Sequence, residues 1–145
     1  MSLSYVAGLW SFSPNDAWAG GTGGKVAHWN GTTWSSFPGW TFSFNAIWGS
    51  ASNDVWIVGD VDVLHWNGST LTKVTTPANT QLYAVSGTSA NDVWAVGASG
   101  TVIHWNGTQW SAQQSGCGVN LYEVLAVDPA HVWIAGDDGA LLRRP

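Results

Sequence analysis

One pattern returns four times along this chain of 145 residues. Its fullest copy, at residues 89–110, reads SANDVWAVGASGTVIHWNGTQW, and it stands again within residues 51–71 and 13–34. A partial copy, DPAHVWIAGDDGALLRRP, occupies residues 128–145. The anchor tryptophans Trp18, Trp56, Trp94 and Trp133 are 38, 38 and 39 residues apart. A fixed period near 40 residues restricts the chain to repeat architectures, in which stacked units bury faces that no unit can bury alone.

One period predicts four strands, a to d. In the third copy, residues 82–85 form a β-branched and aromatic run, and residues 86–91 read as a polar loop. Residues 92–96 are strand b, with Val93 and Ala95 on one face and Trp94 and Val96 on the other. Residues 97–100 are a Gly-rich turn and 101–105 are strand c. Asn106-Gly107 predicts a two-residue type I′ hairpin turn, with positive φ at both positions. Residues 108–112 are strand d. Strand b is apolar on both faces, as expected of a sheet covered on both sides. No window sustains an apolar period of 3.6 residues, so no helix longer than one turn is expected.

Four short strands per period predict an all-β β-propeller of four-stranded antiparallel blades of about 38 residues. The blades fall at approximately 6–38, 44–76, 82–114 and 121–145. The fourth ends after a short strand c, so the chain carries about 3.75 blades in a single domain. Closure is what protects the edges of a propeller. Three solutions are open: a small four-bladed ring, a ring of seven or eight blades shared by two chains about a two-fold axis, or a fragment of a longer gene. The two-chain ring is the expectation, because blade faces lined by Trp would otherwise be left exposed.

Charge narrows the partners. Nine acidic residues stand against four basic ones, for a net charge of −5. That argues against nucleic acid or an anionic membrane as the main partner. Cys117 is the one cysteine, so neither an intrachain disulfide nor a cysteine-based zinc site is available, and it reads as a plain buried or loop thiol. There is no transmembrane stretch, and no basic stretch leads into a long apolar run at the start. Low charge with high Trp and Thr points to an extracellular or cell-surface protein of bacterial type. Met1-Ser2-Leu3 reads as an added leader ahead of a mature segment.

His28, His65 and His104 recur at one repeat position, each before Trp-Asn-Gly. They are expected to bond a neighbouring turn and pack between blades, since equivalent positions on successive blades are too far apart to share an ion. Asp16, Asp54 and Asp92 recur before strand b, with His131 in the fourth place. These aspartates are expected to accept backbone N–H bonds as Asx-turns. Asp60-Val61-Asp62 and Asp137-Asp138-Gly139 faintly resemble calcium loops but lack the required spacing. Asn30, Asn67 and Asn106 match the glycosylation acceptor pattern, incidentally to the turn. No metal and no cofactor is expected.

No catalytic set is visible. There is no Gly-x-Ser-x-Gly and no phosphate loop, and only Glu123 departs from the run of turn aspartates. The residues the repeat does not demand are Trp40, in the aromatic connection 37–44, and Trp10 and Trp48, where other copies carry Ser86 and Leu125. They are candidate stacking platforms for a sugar ring, or else plugs between the first and second blades.

The unit NDVWAVG-x-x-G-T-V-I-HWNG-x-x-W resembles the short repeats of bacterial secreted β-propellers, common in myxobacterial-type surface proteins. It is distantly similar to the Asp-box, sialidase-type propellers. The resemblance runs from Leu9 to Ala140 and implies the fold. The Asp-box consensus is absent, and the two arginines are adjacent at Arg143 and Arg144, whereas a sialidase needs an arginine cluster. The function expected is a non-enzymatic binding module for a protein or surface ligand. The alternatives are a lectin with sugars at blade junctions and, remotely, a glycoside-processing enzyme.

Overall fold

The structure, a computed structural model, describes residues 5–144. The expected leader at Met1-Ser2-Leu3 and the end of the fourth blade at Pro145 lie outside the described residues. The described residues form four antiparallel sheets in chain order. The first is β1 (Val6–Ser13), β2 (Asp16–Gly21), β3 (Lys25–Trp29) and β4 (Trp34–Phe37). The second is β5 (Phe44–Ala51), β6 (Asp54–Gly59), β7 (Val63–Trp66) and β8 (Leu71–Val74). The third is β9 (Leu82–Ser89), β10 (Asp92–Gly97), β11 (Val102–Trp105) and β12 (Trp110–Gln113). The fourth has three strands, β13 (Leu121–Asp128), β14 (His131–Gly136) and β15 (Leu141–Arg144). This is the β-propeller of about 3.75 blades that the repeat predicts. Among the described residues the helical segments are three-residue 3-10 turns.

The first strands of successive sheets stand side by side, β1 on β5, β5 on β9 and β9 on β13. The blades therefore fan out from their first strands. The apolar core is split into three slabs, one between each pair of neighbouring blades. Trp18, Val26, Phe44, Ile47, Ile57 and Leu64 fill the first. Trp48, Trp56, Val58, Val85, Val93 and Ile103 fill the second. Trp94, Val96, Val102, Val124, Val132 and Ile134 fill the third. In every slab the anchor Trp of strand b faces forward onto the next blade, while the Val93 type of position faces back. Tryptophan suits this place, because one ring buries roughly 150–250 Å².

Two local expectations are corrected. The polar stretch 86–91 is largely strand: β9 runs on to Ser89, and Ser86 pairs with Trp94. Gly87 is needed there because the Trp48 ring of the preceding blade lies over it, with Cη2 2.6 Å from where a Cβ would stand. A sequence that looks like a loop is thus a strand thinned to admit a neighbour's indole.

The second correction exchanges two turns. Trp105 pairs with Trp110, so the connection at Asn106-Gly107 has four residues rather than two. Asn106 Oδ1 accepts the N–H groups of Thr108 and Gln109 at 3.0 Å each, and only Gly107, not Asn106, has positive φ (94°). Asn30 and Asn67 do the same for Thr32 and Thr33 and for Ser69 and Thr70. The side chain caps the turn itself, which is why Asn is repeated there. The turn with two consecutive positive φ values lies between strands b and c, at Ser99 (54°) and Gly100 (72°). It is closed by Thr101 N–H to Ala98 O at 3.1 Å.

Candidate functional site

The recurrent histidines and aspartates find each other. His28, His65 and His104 reach Asp16, Asp54 and Asp92 through Nε2 at 2.8, 2.6 and 2.7 Å. Each imidazole also stacks on the anchor Trp of its own blade, at 4.5, 4.1 and 4.1 Å between centroids. The aspartates therefore accept from side chains rather than chiefly from backbone amides, which corrects the Asx-turn expectation. A β-hairpin register that sets strand b opposite strand c brings the two residue types together across the pair. Asp54 also accepts from the Ser50 hydroxyl, and Trp94 Nε1 donates to Asp92 at 3.0 Å.

Burial alone would raise the Asp54 carboxyl. The hydrogen bonds from His65 and Ser50 and the charge of His65 outweigh it and hold the group below the usual carboxylate value. At Asp92 burial is again outweighed, here by Thr88, His104 and Trp94. In the fourth blade the roles are exchanged. His131 stands in the aspartate position and its Nδ1 meets Asp128 at 2.9 Å, while Arg143 replaces the stacking histidine over Trp133, 5.9 Å from the ring. The His bond lowers Asp128 as well.

Three of the four carboxylates of the calcium-like turns, Asp60, Asp62 and Asp137, have protein partners. Asp60 accepts the Ser43 N–H at 2.9 Å, Asp62 pairs with Lys73, and Asp137 accepts from Asn120 Nδ2 and the Tyr122 hydroxyl at 3.1 and 3.2 Å. Cys117 is a half-buried free thiol in a connection packed on the third slab.

Of the three candidate tryptophans, Trp48 is buried in the second slab. Trp10 is half-buried, 6.2 Å from Trp48 and edge-on to Phe12. Trp40 stacks at a tilt on Phe42, 5.9 Å away, and its indole N–H is buried without a partner among the described residues. It lines a groove of about 400 Å³ with Lys25, Phe37, Pro38 and Gly39. Trp10 and Trp48 thus stand together, and Trp40 stands apart from them.

A second set of residues escapes sequence reasoning. The first strand of each blade slips register at its start, after Val6, Phe44, Leu82 and Leu121. A β-bulge re-aims the residue it frees. Those residues are Ala7, Asn45, Tyr83 and Tyr122, and all four line one opening of about 330 Å³ where the first strands converge. Tyr83 and Tyr122 face each other at 5.1 Å, Glu123 lies on the same wall, and Asn45 Nδ2 ties across to Leu82 O at 2.7 Å. The available signal is that this position varies as Ala, Asn, Tyr, Tyr after an apolar residue in every blade, Val6, Phe44, Leu82 and Leu121.

Among the described residues, no blade packs on the outer faces of the first and fourth blades. Val6, Leu9 and Trp34 are exposed on the first, and Leu125, Trp133 and Leu141 on the fourth.

The fold has close counterparts among solved structures. The computationally designed Ika4 protein matches with a TM-score of 0.78 and 19% identity, over 99% of this chain and 92% of that one. The computationally designed Ika8 protein matches at 0.80 and 19%, over 96% of this chain and 45% of that one. YCF48 bound to D1 peptide matches at 0.72 and 18%, over 96% of this chain and 50% of that one. This chain therefore spans about half the length of YCF48 and of Ika8. No family model and no curated protein matches the sequence. At these identities the likeness is one of fold, and a fold by itself does not fix a function.

Proposed function

We propose that this chain is a non-enzymatic interaction module that grips a protein segment at the opening between its first strands. The observation that carries this reading is the set of bulge residues Asn45, Tyr83 and Tyr122, held on a rigid scaffold around one mouth. Aromatic pairs supply large contact area with few rotatable bonds, which suits recognition. Glu123 beside the two tyrosines favours a segment carrying Lys or Arg. A propeller neighbour solved with a bound peptide supports the class of ligand. Secretion to the cell surface of a bacterium, inferred from the repeat and the low charge, fits such a role.

The same reading includes self-association as a homodimer, since each chain leaves two apolar blade faces uncovered. Sugar binding is a second reading, favoured by the groove beside Trp40.

The test is selection from a displayed random-peptide library, run beside a glycan array. Selected peptides rich in Lys or Arg whose binding is lost in Tyr83→Ala and Tyr122→Ala support the peptide reading. Glycan binding lost in Trp40→Ala replaces it with the lectin reading. Peptides that bind both tyrosine variants as well as the unaltered chain overturn the placement at the mouth.

A further inference from the structure

Each internal joint has a direction. The forward face of one blade, with its anchor Trp, packs on the backward face of the next. At the second joint Trp56 lies 4.9 Å from Trp105 and 5.3 Å from Trp110, two rings that stand 6.0 Å apart at 49°. The first blade presents the same pair on its backward face: Trp29 and Trp34 stand 5.7 Å apart at 44°. No anchor Trp lies against them among the described residues, and they open onto a groove of about 490 Å³ lined also by Val6, Leu9 and Ala19. On the forward face of the fourth blade Trp133 is 41% exposed, where Trp56 is 1% exposed. The chain therefore carries both halves of its own joint, one at each end.

The two halves also match in volume. The backward face of the first blade has Ala17, Ala19 and Ala27 where the second blade has Val55, Ile57 and Leu64. The forward face of the fourth has Leu125 and Leu141 where the third has Ser86 and Val102. One end is hollowed and the other filled. Leu9, 67% exposed, and Leu125, 56% exposed, occupy places whose internal counterparts Val85 and Ser86 are each 8% exposed. Pairing of like faces would set Arg143 against Arg143, or leave two alanine hollows facing each other. Like charges and unfilled volume both oppose that arrangement.

We propose that two copies of this chain join head to tail, Trp133 of each seating between Trp29 and Trp34 of the other, so that the two heterologous joints close one eight-bladed ring. This rests on the self-association reading above and gives it a register. Eight blades lie at the upper end of the usual range of about four to eight. A head-to-tail contact that closes after two copies ends in a dimer, whereas one that does not close gives a filament.

Sedimentation velocity over a concentration series tests this, with circular dichroism to confirm that each variant is folded. The unaltered chain is expected at twice the chain mass. Leu9→Arg and Leu125→Arg, both at exposed positions, are each expected to be folded monomers. Mixing them restores a species of twice the mass, because one of the two joints then keeps both leucines. Trp133→Ala raises the dimer dissociation constant by about tenfold or more. A dimer that only one of the two Arg variants dissociates signifies pairing of like faces. That result, or a dimer insensitive to both, overturns the head-to-tail register and leaves self-association standing. An open polymer overturns ring closure. An unaltered chain that stays monomeric throughout overturns the register and self-association together.

Discussion

The inner blades and the end blades are built from one repeat, yet they are stabilised differently. Trp56 and Trp94 are enclosed by the blade that follows them, and each lies over an imidazole held by an aspartate. Trp133 occupies the same place in the fourth blade, but it faces outward beneath Arg143. The His-Asp pair is kept where the Trp is buried in a slab and altered where the Trp faces out. A neutral or paired imidazole can be covered by the next blade at little cost, whereas an arginine needs water or an aromatic face. Arg144, by contrast, turns back onto the third blade, over Trp94 at 5.4 Å and bonded to Gln113 and Gln114. It closes the third slab at the place where Trp105 closes the second.

The largest expected effect comes from removing the anchor Trp in both settings. Trp56→Ala opens a cavity in the second slab and is expected to cost about 3–5 kcal/mol. Trp133→Ala, measured by urea unfolding of the dilute chain, is expected to cost less than about 1 kcal/mol, as at a surface position. Equal losses would mean that the fourth blade is already covered.

Glycine in the b–c turn gives a sharper and smaller contrast. Gly100 and Gly139 share a φ of 72°. A Cβ at Gly100 would stand 2.0 Å from Cys117 O, whereas nothing lies within 4 Å at Gly139. Gly139→Ala is expected to cost about 1–2 kcal/mol for the left-handed backbone alone. Gly100→Ala adds displacement of the connection, and is expected to lower the unfolding midpoint well below that of Gly139→Ala. Identical melts for the two would remove the steric argument.

The smallest effect is a pH dependence carried by the inner pairs. The Asp54 and Asp92 carboxyls are held below the usual carboxylate range in the folded chain. A depressed folded value stabilises the fold above the unfolded value, and that contribution is lost as pH falls through the folded one. Stability should therefore be level above about pH 5 and decline below about pH 4. Asp92→Asn is expected to flatten that decline. A slope unchanged in Asp92→Asn would show that other acidic groups carry it.

Much of this was legible in the residues. The 38-residue spacing of Trp18, Trp56 and Trp94 is a covalent fact, and it predicts stacked four-stranded units whatever the contacts. The apolar residues on both faces of strand b predict covering on both sides. Residues 86–89 and the three tryptophans are decided by neighbours distant in sequence, and the Asn106-Gly107 turn by its own side chain. Residues 86–89 have a loop's composition, but the Trp48 ring makes glycine the residue that fits a strand there. Asn106-Gly107 carries the sequence signal of a type I′ turn, while the Asn side chain takes the two amides and lengthens the connection to four residues. Trp10, Trp40 and Trp48 stand out from the repeat, but their exposure is set by packing, which leaves Trp48 buried and the other two half-buried.

The sequence by itself determined the period and the four-stranded blade. Those follow from local alternation and from the register of short hairpins, whose partners lie within a dozen or so residues. Only the tertiary structure decided which side of each blade faces forward, that the bulges turn Asn45, Tyr83 and Tyr122 to one mouth, and that the two ends carry opposite halves of one joint. Those are relations between blades, fixed by the fan of the sheets about their first strands, and no periodicity along the chain records them.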